Sequence, residues 1–181
     1  MDALRASFQL AYSYRDTGTA CIHGHFLPVK YRWARTPERK QFVVWLRDPI
    51  ERLASNYYYW TRDYDPKTAG KLRRRIVEEN WSLERFCFSS EMKNTYTQFF
   101  WGFPMDFFDF VGITENYETD LSYFAKKVLK SELAVTETNV NPQKENDLYI
   151  GDKNLRSRLE RFHQKDMRLY WKALKVSNNR E

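Results

Sequence analysis

The spacing of hydrophobic positions changes sharply near residue 48. Residues 42–46 form an unbroken apolar run with β-branched and aromatic side chains, which predicts a buried strand. After Asp48 the apolar positions recur every three or four residues, which predicts a helix with Pro49 in its first turn. Asp48 can cap this helix, and Glu51 stands where it could complete a capping box. The pattern therefore predicts a strand, a tight turn and a helix.

The predicted helix sorts its residues onto two faces. At about 100° per residue, one face is apolar and suited to pack on a sheet: Ile50, Leu53, Ala54 and Tyr57. The other face is cationic and carries a hydroxyl: Arg52, Ser55, Tyr59 and Arg62. With Arg47 at the end of the strand and the amides of the helix N-terminus, this face predicts an anion site. The alternative is a well-capped helix whose charges are solvated.

Further apolar patterns predict one more strand and several helices. Residues 107–113 predict a strand, and Thr114 can cap a helix that runs to about Lys130. Ser82 can cap a short helix, and residues 155–174 predict one long amphipathic helix or two abutting ones. Residues 132–150 are polar and without periodicity, which predicts a loop. The order predicts a single α/β domain with a small parallel sheet covered by helices.

Composition narrows the class of partner. The 181 residues carry a net charge of +6, which favours anionic partners such as nucleotides, acidic glycans or nucleic acid. The basic run over residues 67–75 fits a solvated helix face or a surface for an acidic glycan.

Cys21 and Cys87 are too few and too distant for a metal cluster or a disulfide framework. No apolar stretch approaches the roughly 20 residues of a membrane span, so we expect a soluble chain.

Two histidines alternate in the segment Cys21-Ile22-His23-Gly24-His25. On an extended segment both side chains would point to the same side. They could be a metal pair, a catalytic base with a polar neighbour, or ordinary polar residues. No further ligands follow at a suitable spacing, which disfavours a metal. A histidine does suit a general base near neutral pH.

Two motifs carry a family resemblance. Arg47-Asp48-Pro49-x-x-Arg52-x-x-Ser55-x-Tyr57-Tyr58 resembles the 3′-phosphate-binding segment of sulfotransferases that use 3′-phosphoadenosine 5′-phosphosulfate (PAPS). The likeness is closest to the heparan sulfate and uronyl 2-O-sulfotransferases among the carbohydrate sulfotransferases. The segment Phe110-Val111-Gly112-Ile113-Thr114-Glu115 is similar to Phe-Val-Gly-Leu-Thr-Glu of the same family. The resemblance implies a P-loop-like sulfotransferase fold over residues 21 to about 175.

The resemblance also implies roles for individual residues. Arg47 and Ser55 would bind the 3′-phosphate of PAPS, and Arg52 would belong to the same cofactor site. The His-Gly-His resembles that of the 2-O-sulfotransferases, which implies His25 as the catalytic base and His23 as its supporting neighbour. The residues expected to contact the acceptor sugar are Tyr58, Tyr59 and Arg62. A loop comparable to residues 132–150 closes over the nucleotide in the family.

One part of the family pattern is not found. The family usually opens with a loop close to Pro-Lys-Thr-Gly-Gly-Thr, which holds the 5′-phosphosulfate. The nearest likeness here, residues 14–19, lacks the lysine and lies in an atypical N-terminal segment, residues 1–20. We therefore expect the first βα unit to be missing or degenerate. Catalysis would then be compromised unless another residue or another chain supplies the loop.

The resemblance implies transfer of a sulfuryl group from PAPS to a hydroxyl of a carbohydrate acceptor, without a metal. The expected partner is a glycan, with no nucleic acid and no membrane segment, and a homo-oligomer is compatible with the sequence. The expected compartment is the cytoplasm for a complete chain, or the Golgi lumen for a fragment of a Golgi-type enzyme. Two alternatives stay open, a catalytically inactive PAPS- or PAP-binding module and a basic polyanion-binding protein.

Overall fold

A computed structural model describes Arg5 and residues 21–34, 40–131, 133 and 148–180. These residues form a mixed α/β structure with a two-stranded sheet and seven helices. The strands are β1 (Val43–Leu46) and β2 (Phe110–Ile113). The helices are α1 (Pro49–Arg62), α2 (Lys71–Glu78), α3 (Leu83–Cys87), α4 (Thr95–Phe99), α5 (Tyr117–Phe124), α6 (Lys153–Phe162) and α7 (Gln164–Asn178). The predicted α/β class with a small parallel sheet is confirmed, and the finer P-loop-like fold stays a prediction.

The sheet joins the two predicted strands in parallel. The prediction that the first of them is buried is wrong, since only Leu46 of β1 is buried and Val43 is exposed. Val43 lies opposite Phe110, and Leu46 lies opposite Ile113. β2 begins three residues later than predicted because Met105–Phe107 form a 3₁₀ turn. The sheet also requires a glycine at position 112, since a Cβ there would lie 2.3 Å from a ring carbon of Trp45.

An ion pair lies along the edge of β2 that faces away from β1. The Arg180 guanidinium donates to the carbonyl of Val111, and the Asp120 carboxylate accepts from the amide of Ile113 at 2.7 Å. Asp120 and Arg180 are paired at 2.9 Å. In a parallel ladder one residue of a third strand would bond to these two main-chain groups. The ion pair thus takes the place of a neighbouring strand.

The apolar face predicted for α1 is confirmed, but in its core cluster it packs on other helices, not on the sheet as predicted. Ile50, Leu53 and Ala54 are buried in one core cluster. Helices α2, α3, α6 and α7 add to it Ile76, Phe86, Leu159 and Met167. A second cluster joins both strands to α4 and α7 through Leu46, Tyr96, Val111, Ile113, Tyr170 and Ala173. Burying each large aliphatic side chain contributes about 1.5–3 kcal/mol to folding. The core therefore fixes which face of α1 is left for solvent.

The start of α1 follows the prediction in one respect and departs from it in another. Asp48 caps the helix by accepting from the amides of Ile50 and Glu51 at 2.9 and 3.1 Å. The predicted capping box is wrong, because the Glu51 carboxylate does not accept from the amide of Asp48. It accepts instead from the amides of Tyr149 and Ile150. The amide of Asp48 donates to Glu115 at 2.7 Å. The amides of this helix start are thus partly occupied, so they contribute less to an anion site than expected.

Of the other predicted helix starts, the structure confirms one and contradicts another. Ser82 caps α3 through the amide of Arg85 at 3.1 Å, as predicted. Thr114 does not cap α5; its hydroxyl donates to the carbonyl of Leu46 at 3.0 Å, and α5 begins at Tyr117 after a 3₁₀ turn. A π-helical turn, Ala125–Leu129, extends α5 close to the predicted end. The C-terminal pattern forms two abutting helices that meet at His163.

The segment with His23 and His25, expected to be a strand or an extended segment, does not form a strand. Residues 21–27 have no strand partner among the described residues, and the chain bends at 24–26. Most of residues 1–20, including the segment 14–19, and most of the predicted loop 132–150 lie outside the described residues.

Candidate functional site

A cleft of about 320 Å³ runs along the solvent-facing side of α1. Its lining residues are Ser55, Asn56, Tyr58, Tyr59, Arg62, Asp63 and Tyr149. Four of them are predicted site residues, at positions i, i+3, i+4 and i+7 of one helix, which share a face. Ser55 and Arg62 lie about 10 Å apart along the helix axis. The helical spacing alone therefore brings Ser55, Tyr58, Tyr59 and Arg62 together.

Arg47 lies beside the wall of this cleft. Its guanidinium carbon is 5.6 Å from the ring centre of Tyr149, and that ring stacks on Tyr58 with centres 5.3 Å apart. Among the described residues, neither the Arg47 guanidinium nor the Ser55 hydroxyl has a hydrogen-bond or ion-pair partner. Both side chains are only partly exposed. Arg47 is not itself a lining residue, so the available cation lies beside the cleft, next to Tyr149, and the available hydroxyl of Ser55 lies within it.

The other two predicted cations are already engaged. Arg62 pairs with the neighbouring Asp63 at 3.1 Å, which reduces the positive charge at that end of the cleft. Arg52 donates to the Thr95 hydroxyl at 2.9 Å, and its guanidinium lies 4.6 Å from the ring centre of Tyr96. Arg52 does not line the cleft. The Arg52 guanidinium therefore contacts α4, whereas Ser55 lines the cleft, although the sequence places both on the polar face of α1.

Contacts that the sequence did not predict, made by Glu51 and Arg156, hold the cleft in place. Glu51 is only 4% exposed, and its carboxylate binds the amide of Tyr149 at 2.8 Å. Arg156 lies 2.5 Å from Asp48 and 3.7 Å from Glu51, and so ties α6 to the start of α1. No sequence signal marks Glu51 as the anchor of Tyr149, because the two residues are 98 positions apart.

The basic run over residues 67–75 is used largely for structure. Arg73 donates to the carbonyls of Trp60 and Asp63 at the end of α1. Arg74 donates to the carbonyl of Pro66 at 2.9 Å, and Arg75 forms an ion pair with Glu91. These contacts do not decide between the two predicted uses, a solvated helix face and a surface for an acidic glycan.

The described contacts do not bring His23 or His25 to the cleft. Both side chains are exposed, and neither lines it. The turn that follows them packs Val29 against Gly102, next to Phe103. Phe103 contacts Phe42 with ring centres 4.7 Å apart, at the amino end of β1. Arg47 follows the carboxyl end of the same strand, so the histidine segment is anchored at the opposite end of the sheet.

The third histidine, His163, has a structural role. His163 is buried, its Nδ1 accepts from the amide of Asn94 at 3.2 Å, and its Nε2 lies 2.8 Å from the carbonyl of Cys87. An amide can only donate and a carbonyl can only accept, so the ring is neutral with its proton on Nε2. Burial lowers the pKa of His163, which agrees with this neutral form.

Within the described part of the chain, no group of three or more His, Cys, Asp or Glu residues could hold a metal ion. None of the helices described there has the length and apolar character needed to cross a membrane. Comparisons of the chain with protein-family models, curated proteins and solved structures found no match.

Proposed function

We propose that the cleft binds the 3′-phosphoadenosine part of PAPS and that the chain is a PAPS-dependent sulfotransferase acting on a carbohydrate hydroxyl. The observation that carries this proposal is the pair formed by Arg47 and Ser55. The Arg47 guanidinium is partly buried and lacks an anionic partner among the described residues, and the Ser55 hydroxyl opens into the adjoining cleft. A phosphate would supply the missing partner through charge-assisted hydrogen bonds.

The size and lining of the cleft support a ligand of this kind. A volume of about 320 Å³ is at the lower end of small-molecule sites, which span roughly 300–1,000 Å³. Tyrosine rings offer flat surfaces to a nucleobase or a sugar. Tyr58, Tyr59 and Arg62, expected to contact the acceptor, line the same cleft as Ser55. The nucleotide and acceptor sites would therefore adjoin each other along α1.

The proposed reaction needs a base as well as a nucleotide site. The acceptor oxygen attacks sulfur, the bond from sulfur to the phosphate oxygen breaks, and the acceptor proton passes to the base. The family resemblance assigns that base to His25, with His23 beside it. A base acts within about 2.6–3.2 Å of the proton-bearing atom, so His25 would have to approach the cleft in the reacting complex.

A second candidate is a catalytically inactive module that binds PAPS or PAP. The observation that favours it is the position of the histidine segment, anchored at the amino end of β1 while the cleft adjoins the carboxyl end. This candidate predicts nucleotide binding without turnover. Polyanion binding through net charge remains the third alternative.

Nucleotide binding is tested by calorimetric titration with 3′-phosphoadenosine 5′-phosphate (PAP). Arg47→Ala should weaken binding by about 1.5–3 kcal/mol, the contribution of a hydrogen bond to a charged group. Arg168→Ala is the matched control, because it removes an equal charge from an exposed position on α7. Equal weakening by both changes would favour polyanion binding. Absence of binding at millimolar PAP would reject the proposal.

Transfer is tested separately by incubating the chain with PAPS and a desulfated glycan acceptor. Sulfate incorporation that His25→Ala abolishes, while PAP affinity is retained, would support the sulfotransferase. Binding of PAP without any incorporation would instead support the inactive module.

A further inference from the structure

Arg47 is held at its main chain by a tyrosine from another part of the fold. The amide of Arg47 donates to the Tyr96 hydroxyl oxygen at 3.0 Å, and that hydroxyl donates to the carbonyl of Arg47 at 3.1 Å. A phenolic hydroxyl can donate one hydrogen bond and accept others, so one side chain serves both groups. Arg47 follows the last residue of β1, where β2 offers no further residue of the ladder.

We propose that Tyr96 is a positioning residue for Arg47, and that phosphate binding in the cleft depends on its hydroxyl. The inference rests on the proposed function and adds to it a residue that touches no ligand. Tyr96 does not line the cleft; it acts through the backbone from which the Arg47 side chain extends toward Tyr149.

Tyr96 is itself firmly held. Its side chain belongs to a core cluster and only 6% of the residue is exposed. Its amide and that of Thr97 both donate to the Asp166 carboxylate at 2.8 Å, so Asp166 on α7 caps the start of α4. The Arg52 guanidinium lies 4.6 Å from the Tyr96 ring centre. Burial raises the pKa of Tyr96 to about 12, so its hydroxyl keeps its proton at neutral pH and can donate.

Removing the hydroxyl would loosen Arg47 without emptying the core. Phenylalanine fills nearly the same space, so the ring contacts of Tyr96 would remain. The amide and carbonyl of Arg47 would lose their partner. The main chain that carries the guanidinium would then no longer be held in one position. A displacement of about 1 Å at a binding group can cost up to about 100-fold in function, so the affinity for a phosphate should respond.

The test measures PAP affinity by calorimetry for Tyr96→Phe, alone and combined with Arg47→Ala. We expect Tyr96→Phe to weaken PAP binding by about fivefold to tenfold, near the value of one hydrogen bond. In the Arg47→Ala background the same change should have no further effect, since the residue it positions is already truncated. Tyr57→Phe is the control, because its hydroxyl also donates to a main-chain carbonyl, at 2.9 Å, and Tyr57 does not line the cleft.

A second readout follows hydrogen exchange of the Arg47 amide by NMR in the same variants. Tyr96→Phe should accelerate this exchange by about tenfold, corresponding to about 1.4 kcal/mol, whereas Tyr57→Phe should leave it unchanged. Wild-type affinity in Tyr96→Phe, or equal weakening with and without Arg47, would overturn the positioning role. If the wild-type chain binds no PAP, the proposed function fails. In that case the exchange rate of the Arg47 amide still tests the positioning role. Faster exchange in Tyr96→Phe supports the view that Tyr96 fixes the Arg47 main chain, and an unchanged rate overturns it.

Discussion

The carboxylate of Glu51 accepts a hydrogen bond from the main-chain amide of Tyr149 at 2.8 Å, across 98 positions of sequence. The same carboxylate accepts from the amide of Ile150 at 3.3 Å. Helix α1 therefore supplies one side of the cleft through Ser55 and Tyr58, and also anchors the segment that brings in Tyr149. The two sides of the cleft are thus fixed to a single helix.

Replacement of Glu51 by glutamine should release this segment. Glutamine retains one acceptor oxygen, but its amide group would face a main-chain donor and would not attract Arg156. We expect a loss of about 1–3 kcal/mol in the free energy of unfolding, the cost of leaving buried polar groups without partners. Urea denaturation gives the stability, and hydrogen exchange at the amides of Tyr149 and Ile150 should become faster.

Glu118→Gln is a suitable control for this change, because Glu118 is an exposed carboxylate on α5. It should leave both the stability and the exchange of Tyr149 unchanged within about 0.5 kcal/mol. Comparable effects of the two substitutions would show that Glu51 does not anchor the segment.

The buried His163 should make stability depend on pH. Its folded-state pKa lies below the value of 6.5 because burial disfavours the charged ring. The unfolded chain therefore binds a proton more readily than the folded chain as the pH falls below about 6.5. The contribution of the neutral ring is complete above that pH and declines below it, down to the folded-state pKa, by at most about 1.4 kcal/mol per pH unit.

The pH dependence is measured by urea denaturation at pH 7.5 and at pH 5.5. The wild-type chain should lose more stability between these values than His163→Gln, which has no ring to protonate. The exposed His23 and His25 are common to both proteins and cancel in the comparison. An identical pH dependence in the two proteins would contradict the assignment of a neutral, buried imidazole.

The ion pair at the edge of β2 should be important for stability. Asp120 and Arg180 have side chains only 3% and 12% exposed, so Arg180→Ala would leave a buried carboxylate without its cation. We expect a loss of about 3 kcal/mol or more, measured by urea or thermal denaturation. The loss should be smaller in Asp120→Asn combined with Arg180→Ala, because no unpaired charge is then buried.

Lys172 provides the comparison for that measurement. It pairs with Asp106 at 2.6 Å, but the two side chains are 56% and 75% exposed. Lys172→Ala should therefore cost less than about 1 kcal/mol. Similar costs for Lys172→Ala and Arg180→Ala would mean that burial does not set the strength of the edge contact.

The parts of the fold that follow from sequence are those with local causes. The apolar run before Arg47 and the Asp48-Pro49 cap specify a strand and a helix start within a few residues. Helical spacing likewise places Ser55 and Arg62 in one cleft. Each of these predictions depends only on residues within two turns of one another, and each agrees with the described structure.

The remaining features depend on contacts between distant residues. Glu51 has the sequence position of a capping box, yet its partners arrive from almost a hundred residues away. Tyr96 carries no sequence mark of its contact with Arg47. The location of His25 is set by how the segment after it packs near Phe103, which periodicity does not report. The motif that begins at Arg47 therefore indicated which face of α1 borders the cleft, but not the distant residues that fix the cleft and Arg47 in place.

The cap that Asp166 provides for α4 has a consequence for the order of folding. Helix α4 has five residues, and a helix of that length does not persist in water on its own. Its amides at Tyr96 and Thr97 are capped from a residue about 70 positions later, on α7. We therefore expect the contact between Tyr96 and Arg47 to form only once the C-terminal helix has docked. The strand and helix that carry Arg47 and Ser55 have local signals of their own, whereas the fixed position of the arginine depends on the docking of α7.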